Sequence, residues 1–261
     1  MGRMRKLLIP GVDKKLLVKD ALRQMPDLSR RRFIAGGASL GALTLLTGCD
    51  VTDSFSAESM LTQISKFNDA VQARLFDPNA LAPTFPESAI TRPFPFNAYY
   101  ALDDAPTIDG KDWKLEVRGL VENRKSWTLD ELYRLPQEKQ ITRHICVEGW
   151  SAIGSWTGTP LRHFLQLVGA DMRAKYVWFN CADYDGYNSP LDMASALHPQ
   201  TQMTFKFDNE ILPRAYGYPM KIRVPTKLGF KNPKYVVSLE VTNDYKGGYW
   251  EDMGYNSFSG S

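Results

Sequence analysis

The chain has 261 residues, 43% of them hydrophobic and 12% aromatic, which is enough to bury a core in one large domain or two small ones. Residues 1–48 contain ten Lys or Arg and only three Asp, so the rest of the chain carries about −4 although the formal net charge is +3. This balance excludes a general nucleic-acid-binding surface, and we expect no nucleic-acid partner.

The first 48 residues predict an export signal. Residues 29–34 are Ser-Arg-Arg-Arg-Phe-Ile, a twin-arginine pattern, and an apolar run rich in Gly, Ala and Leu continues to Thr47. That run has about 14 residues, whereas a membrane-spanning helix needs about 20, so we expect no permanent span. Proteins that fold around a cofactor before export use a route similar to this one. Cofactor binding is therefore one hypothesis for this protein.

The export signal ends in a possible lipid attachment site. Residues 46–49, Leu-Thr-Gly-Cys, resemble a bacterial lipobox and predict a lipid on Cys49. Asp50 stands where some bacteria retain a lipoprotein at the inner membrane, so we expect the protein on the periplasmic side of that membrane. Lipid chains contribute about 0.8 kcal/mol per buried CH₂, so several chains would hold it at the membrane surface. Cleavage by an ordinary signal peptidase, or no cleavage, is the alternative.

The mature chain divides into two predicted parts. Residues 49–94 are polar and then rich in proline, which predicts a tether and an extended segment with at most one short helix near 58–76. Residues 95–261 hold the other regular elements and form the predicted domain. Hydrophobic periodicity predicts strands at 113–117, 140–147, 175–181, 203–207, 221–224 and 235–242. It also predicts helices at 128–135, opened by a capping box, at 159–169 and at 191–197. Strands outnumber helices without regular alternation, so we expect an α+β fold dominated by sheet.

Residues 143–151 are the first candidate site. A lone cysteine is more often a small buried hydrophobe, but Arg143 and His144 would favour the thiolate of Cys146, the form that binds metals and attacks electrophiles. Four roles stay open: nucleophile of a thiol hydrolase, zinc ligand, ligand to a metal within a cofactor, and disulfide partner of Cys181. In the hydrolase, the base would be His144, His163 or His198. The cofactor role needs one protein ligand only and best fits the export route.

Residues 220–234 are the second candidate site, with five cations around Gly229. Phosphate recognition uses lysine as a point charge and backbone N–H groups where a glycine permits close approach. In a strand, Lys221 and Arg223 would share one face. A solvated basic loop is the alternative.

Three motifs resemble the molybdopterin domain of the sulfite oxidase family. They are Cys-Val-Glu-Gly-Trp-Ser at 146–151, Gly-Thr-Pro-Leu at 158–161, and Val224-Pro225 leading to Gly-Phe-Lys at 229–231. The resemblance spans roughly 95–255 and is closest to the small bacterial branch that contains periplasmic protein-methionine-sulfoxide reductases. It implies a sheet-rich molybdopterin-binding fold and a molybdenum-molybdopterin cofactor. The sequence after the last predicted strand is too short for the family's C-terminal dimerisation domain, so we expect a monomer.

The resemblance also implies roles for individual residues. Cys146 would be the thiolate ligand of molybdenum. Apart from the resemblance, the nearness of Arg143 and His144, with Trp150, to Cys146 in the sequence makes them our candidates for shaping substrate access. The matching cofactor-binding positions are Asn97, Tyr100, Ala101, Cys181, Tyr216, Lys221, Gly229, Phe230 and Lys231. Three of them depart from the family pattern: Lys221 replaces an arginine, Tyr216 an asparagine and Cys181 a threonine.

We therefore expect an exported molybdenum-pterin oxidoreductase that transfers an oxygen atom to or from a small S-oxide, N-oxide or sulfite-like substrate. The sequence lacks Cys-x-x-Cys-His, so electrons would be exchanged with an external cytochrome or haem-containing membrane protein. The alternatives are a membrane-tethered binding module without enzymatic activity, and a thiol hydrolase that uses Cys146.

Overall fold

Two five-stranded sheets form the framework of the protein. The computed structural model describes residues 57–183 and 186–260. The strands are β1 (Lys114–Gly119), β2 (Ser126–Thr128), β3 (Glu138–Ile145), β4 (Ser151–Pro160), β5 (Tyr176–Cys181), β6 (Asn188–Asp192), β7 (Gln202–Phe207), β8 (Glu210–Ile211), β9 (Lys221–Arg223) and β10 (Val236–Thr242). The α-helices are α1 (Ala57–Leu75), α2 (Leu129–Tyr133), α3 (Leu161–Leu167) and α4 (Met193–Ala196). The predicted export signal and Cys49 lie outside the described residues.

The first sheet has the strand order β2-β1-β10-β5-β6. Strands β1 and β10 pair in parallel, with Val117 opposite Leu239, and the other neighbours in this sheet are antiparallel. Leu115, Val117 and Leu239 are fully or almost fully buried because side chains in a strand alternate between two faces. They pack in one core cluster with Phe164 of α3.

The second sheet has the order β3-β4-β7-β8, and β9 also pairs with β7. Strands β3 and β4 form a hairpin in which His144 lies opposite Ala152. This hairpin and β9 carry the two candidate sites predicted from the sequence. A smaller apolar cluster around Phe94, Trp156 and Leu212 packs on this sheet.

Helix α1 packs against the C-terminal segment. The carboxylate of Asp69 accepts hydrogen bonds from the backbone N–H groups of Ser257 and Phe258, over 2.7 and 3.0 Å. The side-chain oxygen of Gln72 accepts one from the backbone N–H of Gly260 over 3.1 Å. Among the described residues, no helix is long and apolar enough to cross a membrane.

The sheet-rich α+β fold agrees with the prediction. Every predicted strand is present within about two residues, and Thr128 and Glu131 form the predicted capping box at the start of α2. Strands β2, β4, β6 and β8 were not predicted. The predicted domain boundaries, 1–48, 49–94 and 95–261, stay predictions.

Candidate active site

Cys146 lies at the tip of the β3–β4 hairpin. Its backbone N–H donates to the carbonyl oxygen of Trp150 over 2.9 Å, and the N–H of Gly149 donates to the carbonyl of Cys146 over 3.2 Å. Gly149 has φ of +90°, which a residue with a side chain rarely adopts, so the glycine allows this tight turn. The predicted face is also correct: His144 and Cys146 are buried while Arg143 and Val147 are exposed.

A pocket opens beside Cys146 where five chain segments meet. It is lined by Asn97 to Tyr100, Cys146 to Glu148, Asp183 with Tyr187, Gly229 to Phe230 with Asn232 to Lys234, and Trp250 with Tyr255. Asn97 donates a side-chain hydrogen bond that favours the thiolate of Cys146. Residues far apart in sequence therefore form one concave surface around the thiol, as a ligand site requires.

Aromatic rings form one wall of this pocket. Tyr99 stacks on Tyr249 with ring centroids 5.2 Å apart and on Tyr187 at 6.3 Å, and meets Trp250 edge-on at 5.5 Å. Trp250 in turn contacts Tyr255 at 5.1 Å. Such offset and edge-to-face contacts stabilise each other beyond the area they bury, so the wall is held in place before any ligand binds.

Buried cations lie behind the pocket. Lys221 is 2% exposed and takes part in no ion pair among the described residues; its ammonium lies 5.0 Å from the ring centre of Trp156. Burial lowers the pKa of Lys221 well below its usual range, and the charges of Lys234 and Arg223 lower it further. Arg223 donates to Asn232 Oδ1 over 2.7 Å and to the carbonyl of Arg143 over 2.6 Å.

His144 is the clearest unpaired polar group near the pocket. Both of its ring nitrogens are buried and have no hydrogen-bond partner in the described chain. Burial lowers the pKa of His144 well below its usual range, and Lys221, Arg223 and Lys234 lower it further. A buried polar group without a partner is costly, so the neutral imidazole and the adjacent cations favour a bound polar or anionic ligand.

The structure brings together Cys146, Asn97, Tyr100, Gly229 and Phe230, all of which line the pocket. His144 lies directly behind Gly229, because a Cβ added to Gly229 would come within 2.8 Å of His144 Nε2. Lys221 belongs to the same neighbourhood through its electrostatic effect on His144. These seven residues therefore lie in the pocket or directly beside it, and their predicted roles stay predictions.

Five predicted site residues do not line the pocket, and their predicted roles stay predictions. Arg143 points away from the thiol, on the exposed face of β3 with its guanidinium 5.3 Å from the ring centre of Phe85, because neighbouring side chains of a strand take opposite faces. Ala101 is exposed and precedes the 3₁₀ turn Leu102–Asp104, outside the pocket lining.

The other three residues outside the pocket lining are Lys231, Cys181 and Tyr216. Lys231 turns inward and pairs with the buried carboxylate of Glu251. Cys181 is buried in the main core at the end of β5. Tyr216 packs with the smaller apolar cluster and donates a hydrogen bond to the carbonyl of Phe94 over 2.7 Å. None of them lines the pocket, although Cys181 acts electrostatically on Lys234, which does.

Several alternatives for Cys146 find no support. Both described cysteines are free and buried, so they do not form the disulfide considered above. In the described part of the chain, no three His, Cys, Asp or Glu residues are grouped as a metal site. His163 is exposed, and the ring of His198 bonds the backbone at Ala80 and Gln200, so neither serves the thiol as a base.

The expected activation of the thiol by its neighbours is also wrong. Burial, with the nearby charge of Glu148, raises the pKa of Cys146, although a backbone hydrogen bond at Glu148 and the side chain of Asn97 oppose this. Arg143 points away, and His144 is neutral rather than cationic. A metal bound to the sulfur would supply the missing positive charge.

The aromatic wall was not predicted from the sequence. Tyr99, Tyr187, Trp250 and Tyr255 come from three separate segments, and only the fold shows that they converge. The dense run of aromatic residues at 245–258 was the available signal. Asp183, which follows β5, also lines the pocket together with Lys234 of the basic segment.

The sheet-rich fold, the single thiol and the buried cations together define a cofactor-binding oxidoreductase domain, and comparison with known proteins identifies it. Residues 102–250 match the family model described as the oxidoreductase molybdopterin binding domain. The chain belongs to this family and is a molybdopterin-dependent oxidoreductase.

Two relatives show which members of this family the chain is similar to. The chain is 58% identical over 249 residues, 94% of both chains, to the protein-methionine-sulfoxide reductase subunit YedZ1 of Azospira oryzae. It is 33% identical over 168 residues to the protein-methionine-sulfoxide reductase catalytic subunit MsrP of Ralstonia nicotianae, covering 59% of this chain and 51% of that one. The chain thus spans about half the length of the MsrP relative.

A solved structure supports the fold. The sulfane dehydrogenase SoxCD of Paracoccus pantotrophus superposes with a TM-score of 0.51 at 22% identity, over 54% of this chain and 40% of that chain. This likeness supports the sulfite oxidase-type fold and nothing finer.

The residues present fit a molybdenum-molybdopterin cofactor. Cys146 offers the single soft thiolate ligand that such a metal takes from the protein. The unpaired nitrogens of His144 and the buried ammonium of Lys221 offer polar and cationic partners. Gly229 keeps the backbone near His144 free of a side chain. Cys146, Asn97, Gly229 and Lys221 would hold the cofactor, which supplies two-electron oxygen-atom transfer when bound.

Proposed function

We propose that the protein reduces methionine sulfoxide in exported proteins to methionine. The observation that carries this proposal is the charge of the pocket beside Cys146. Its charged lining residues are Glu148, Asp183 and Lys234, two carboxylates and one ammonium. The ammonium of Lys234 already donates to the backbone carbonyls of Asn97 and Ala215. The buried Lys221 lies behind this lining, where it would hold the cofactor rather than contact a substrate. A neutral sulfoxide suits the two carboxylates that remain on the lining, whereas a sulfite anion would meet excess negative charge.

The aromatic wall supports the same substrate class. A thioether or sulfoxide group on a methyl-bearing chain packs favourably against aromatic rings, which Tyr99, Tyr187 and Trp250 provide. The close relatives named above carry protein-methionine-sulfoxide reductase in their names, which agrees with this assignment. The exposed Arg143, which could have bound an anion, faces away from the pocket.

The test is a pair of assays on the molybdenum-loaded protein. One supplies reduced viologen with methionine sulfoxide, and the other supplies sulfite with a ferric acceptor. We expect turnover in the first assay and none above background in the second. Sulfite oxidation without sulfoxide reduction would contradict the proposal. Cys146→Ser should abolish sulfoxide reduction while the circular dichroism spectrum stays unchanged, which separates loss of the ligand from loss of the fold.

Sulfoxide reduction consumes two electrons and two protons and releases the thioether and water, so the protein needs an electron donor. The sequence has three cysteines and no Cys-x-x-Cys-His, which favours an external cytochrome or a haem-containing membrane protein as donor. A true donor should reduce the oxidised protein once, with about two haems oxidised per protein in the absence of sulfoxide, because the cofactor takes up two electrons. Continuous haem oxidation should occur only when sulfoxide is present, and continuous oxidation without sulfoxide would argue against this partner.

Location at the periplasmic face of the inner membrane completes the proposal. Its support is the twin-arginine pattern at 29–34 and the lipobox ending at Cys49. Cell fractionation should find the wild-type protein with membranes and the Cys49→Ala variant in the periplasmic fraction. Release of both proteins by osmotic shock would exclude a lipid anchor.

A further inference from the structure

We propose that a second cleft beside the active-site pocket binds the polypeptide on either side of the oxidised methionine. This docking groove is defined by Val147, Leu228, Phe230, Met253, Tyr255 and the small polar residues between them. The inference rests on the proposed function, because it concerns how the same site receives a protein substrate.

The groove is continuous with the pocket. Val147, Phe230 and Tyr255 line both, so one face of each residue borders the thiol pocket and the other borders the groove. Val147 directly follows Cys146 in the chain. When a methionine-sulfoxide side chain of a substrate reaches Cys146, the backbone of that substrate therefore lies in the groove or next to it.

The size of the groove suits flanking residues of a polypeptide. Its volume is about 410 Å³, within the range of about 300–1,000 Å³ typical of ligand clefts. Free methionine sulfoxide has no flanking chain that would need a second cleft. A polypeptide substrate has residues on both sides of the oxidised methionine, and these residues need a second cleft.

The chemistry of the groove favours an uncharged, adaptable contact. None of the residues that line it carries a formal charge. Met253 is 59% exposed, Val147 43% and Tyr255 40%, so apolar surface is open to a partner. Anionic lipid headgroups and nucleic acids need cations, which this lining lacks. A polypeptide can bind through apolar contact, which Met253, Val147 and Tyr255 offer.

The groove is built before a substrate arrives. Its outer side is the C-terminal segment, which Asp69 and Gln72 of α1 hold through backbone N–H groups of residues 257, 258 and 260. Its inner side is joined to that segment, because the N–H of Leu228 donates to the carbonyl of Ser259 over 3.0 Å. Binding therefore costs little ordering of the protein.

The test uses the molybdenum-loaded protein with three substrates: dimethyl sulfoxide, and two methionine-sulfoxide peptides flanked by lysine or by glutamate. The variants are Met253→Glu and Met253→Lys, with Ile211→Glu as the matched control, because Ile211 is 60% exposed on β8 and lies outside both clefts. The assays are run at low salt, where exposed charges are least screened.

We expect wild type to treat the two peptides alike. Met253→Glu should raise the lysine-to-glutamate ratio of kcat/KM about two- to five-fold, and Met253→Lys should lower it by a similar factor. Ile211→Glu should leave that ratio unchanged. A ratio that does not respond to the charge at 253 would overturn the docking groove, as would a change in oligomeric state caused by Met253→Glu.

The two proposals fail in different ways. If wild type reduces neither dimethyl sulfoxide nor the peptides, the proposed function is wrong. If wild type reduces all three but the ratio is insensitive to residue 253, only the docking groove is wrong.

Discussion

Lys234 connects the basic loop to the segment before the first strand, because its ammonium donates to the backbone carbonyl of Asn97 over 3.0 Å. The same ammonium lies 4.7 Å from the ring centre of Phe96. One buried cation therefore positions the Asn97 side of the pocket against the Gly229 side. Burial lowers its pKa to about 8, although Asp183 counteracts part of this effect.

Lys234→Met should weaken cofactor retention more than folding. The methionine keeps most of the apolar volume but cannot donate to Asn97, so the two sides of the pocket lose their link. We expect the molybdenum content of purified protein to fall at least threefold while the urea midpoint changes little. Lys139→Met, which removes an exposed ammonium paired with Glu87, should keep full molybdenum content. Equal content in both variants would contradict this role.

Gly229→Ala should be destabilising through His144. The added Cβ would lie 2.8 Å from His144 Nε2 and 3.3 Å from the side-chain nitrogen of Asn97. Overpacking of this kind costs about 1–3 kcal/mol. A double-mutant cycle with His144→Ala, followed by urea unfolding, should show coupling of at least about 0.5 kcal/mol because the smaller side chain relieves the contact. Additive effects would show that the two positions are independent.

Glu251→Gln should destabilise the fold strongly. Lys231 and Glu251 form an ion pair with side chains 1% and 3% exposed. Removing one partner leaves a buried charge unpaired, which costs about 3–5 kcal/mol in urea unfolding. The double variant Lys231→Met with Glu251→Leu should recover most of the loss. A double variant as unstable as Glu251→Gln would mean that the carboxylate has a role beyond this pair.

The stability of the protein should rise with pH through Lys227. Burial lowers the pKa of Lys227 to about 7, with Lys231 lowering it further and Asp192 and Asp69 opposing. The unfolded chain keeps a pKa of about 10.4, so above pH 7 the unfolded state binds more protons and the free energy of unfolding increases. Lys227→Met should reduce this slope between pH 7 and 8.5. Urea unfolding at three pH values checks it, with Lys246→Met as the control. If Lys227→Met leaves the pH dependence of the free energy of unfolding unchanged, a group other than Lys227 causes it.

Helices and strands were predicted well where their pattern depends only on residues close together in the sequence. The alternation that buries His144 and Cys146 on one face of β3 is a property of neighbouring residues, as is the capping box at Thr128. Strand β4 was missed because Gly154 and Gly158 interrupt its apolar pattern. These glycines are needed, since a Cβ at Gly158 would collide with the backbone of Met203.

The contacts of individual side chains were less predictable, because their partners are far away in the sequence. Lys231 is twenty residues from Glu251 in the chain, and nothing near Lys231 in sequence shows that it turns inward. Arg143 was assigned by its nearness to Cys146 in sequence, although the same alternation that paired His144 with Cys146 places it on the other face. The motifs that resemble the family indicated the region of the pocket. Only the tertiary structure shows which side chains line it.

The position of β10 constrains when the domain can form. It lies between β1 and β5, so without it the first sheet is two separate strand pairs, β2-β1 and β5-β6. Its partner β1 precedes it by more than a hundred residues. The ribosome must therefore release residue 242 before the sheet closes, and pairings this distant in sequence form slowly. Synthesis of the domain is complete, or nearly so, before its binding pocket exists.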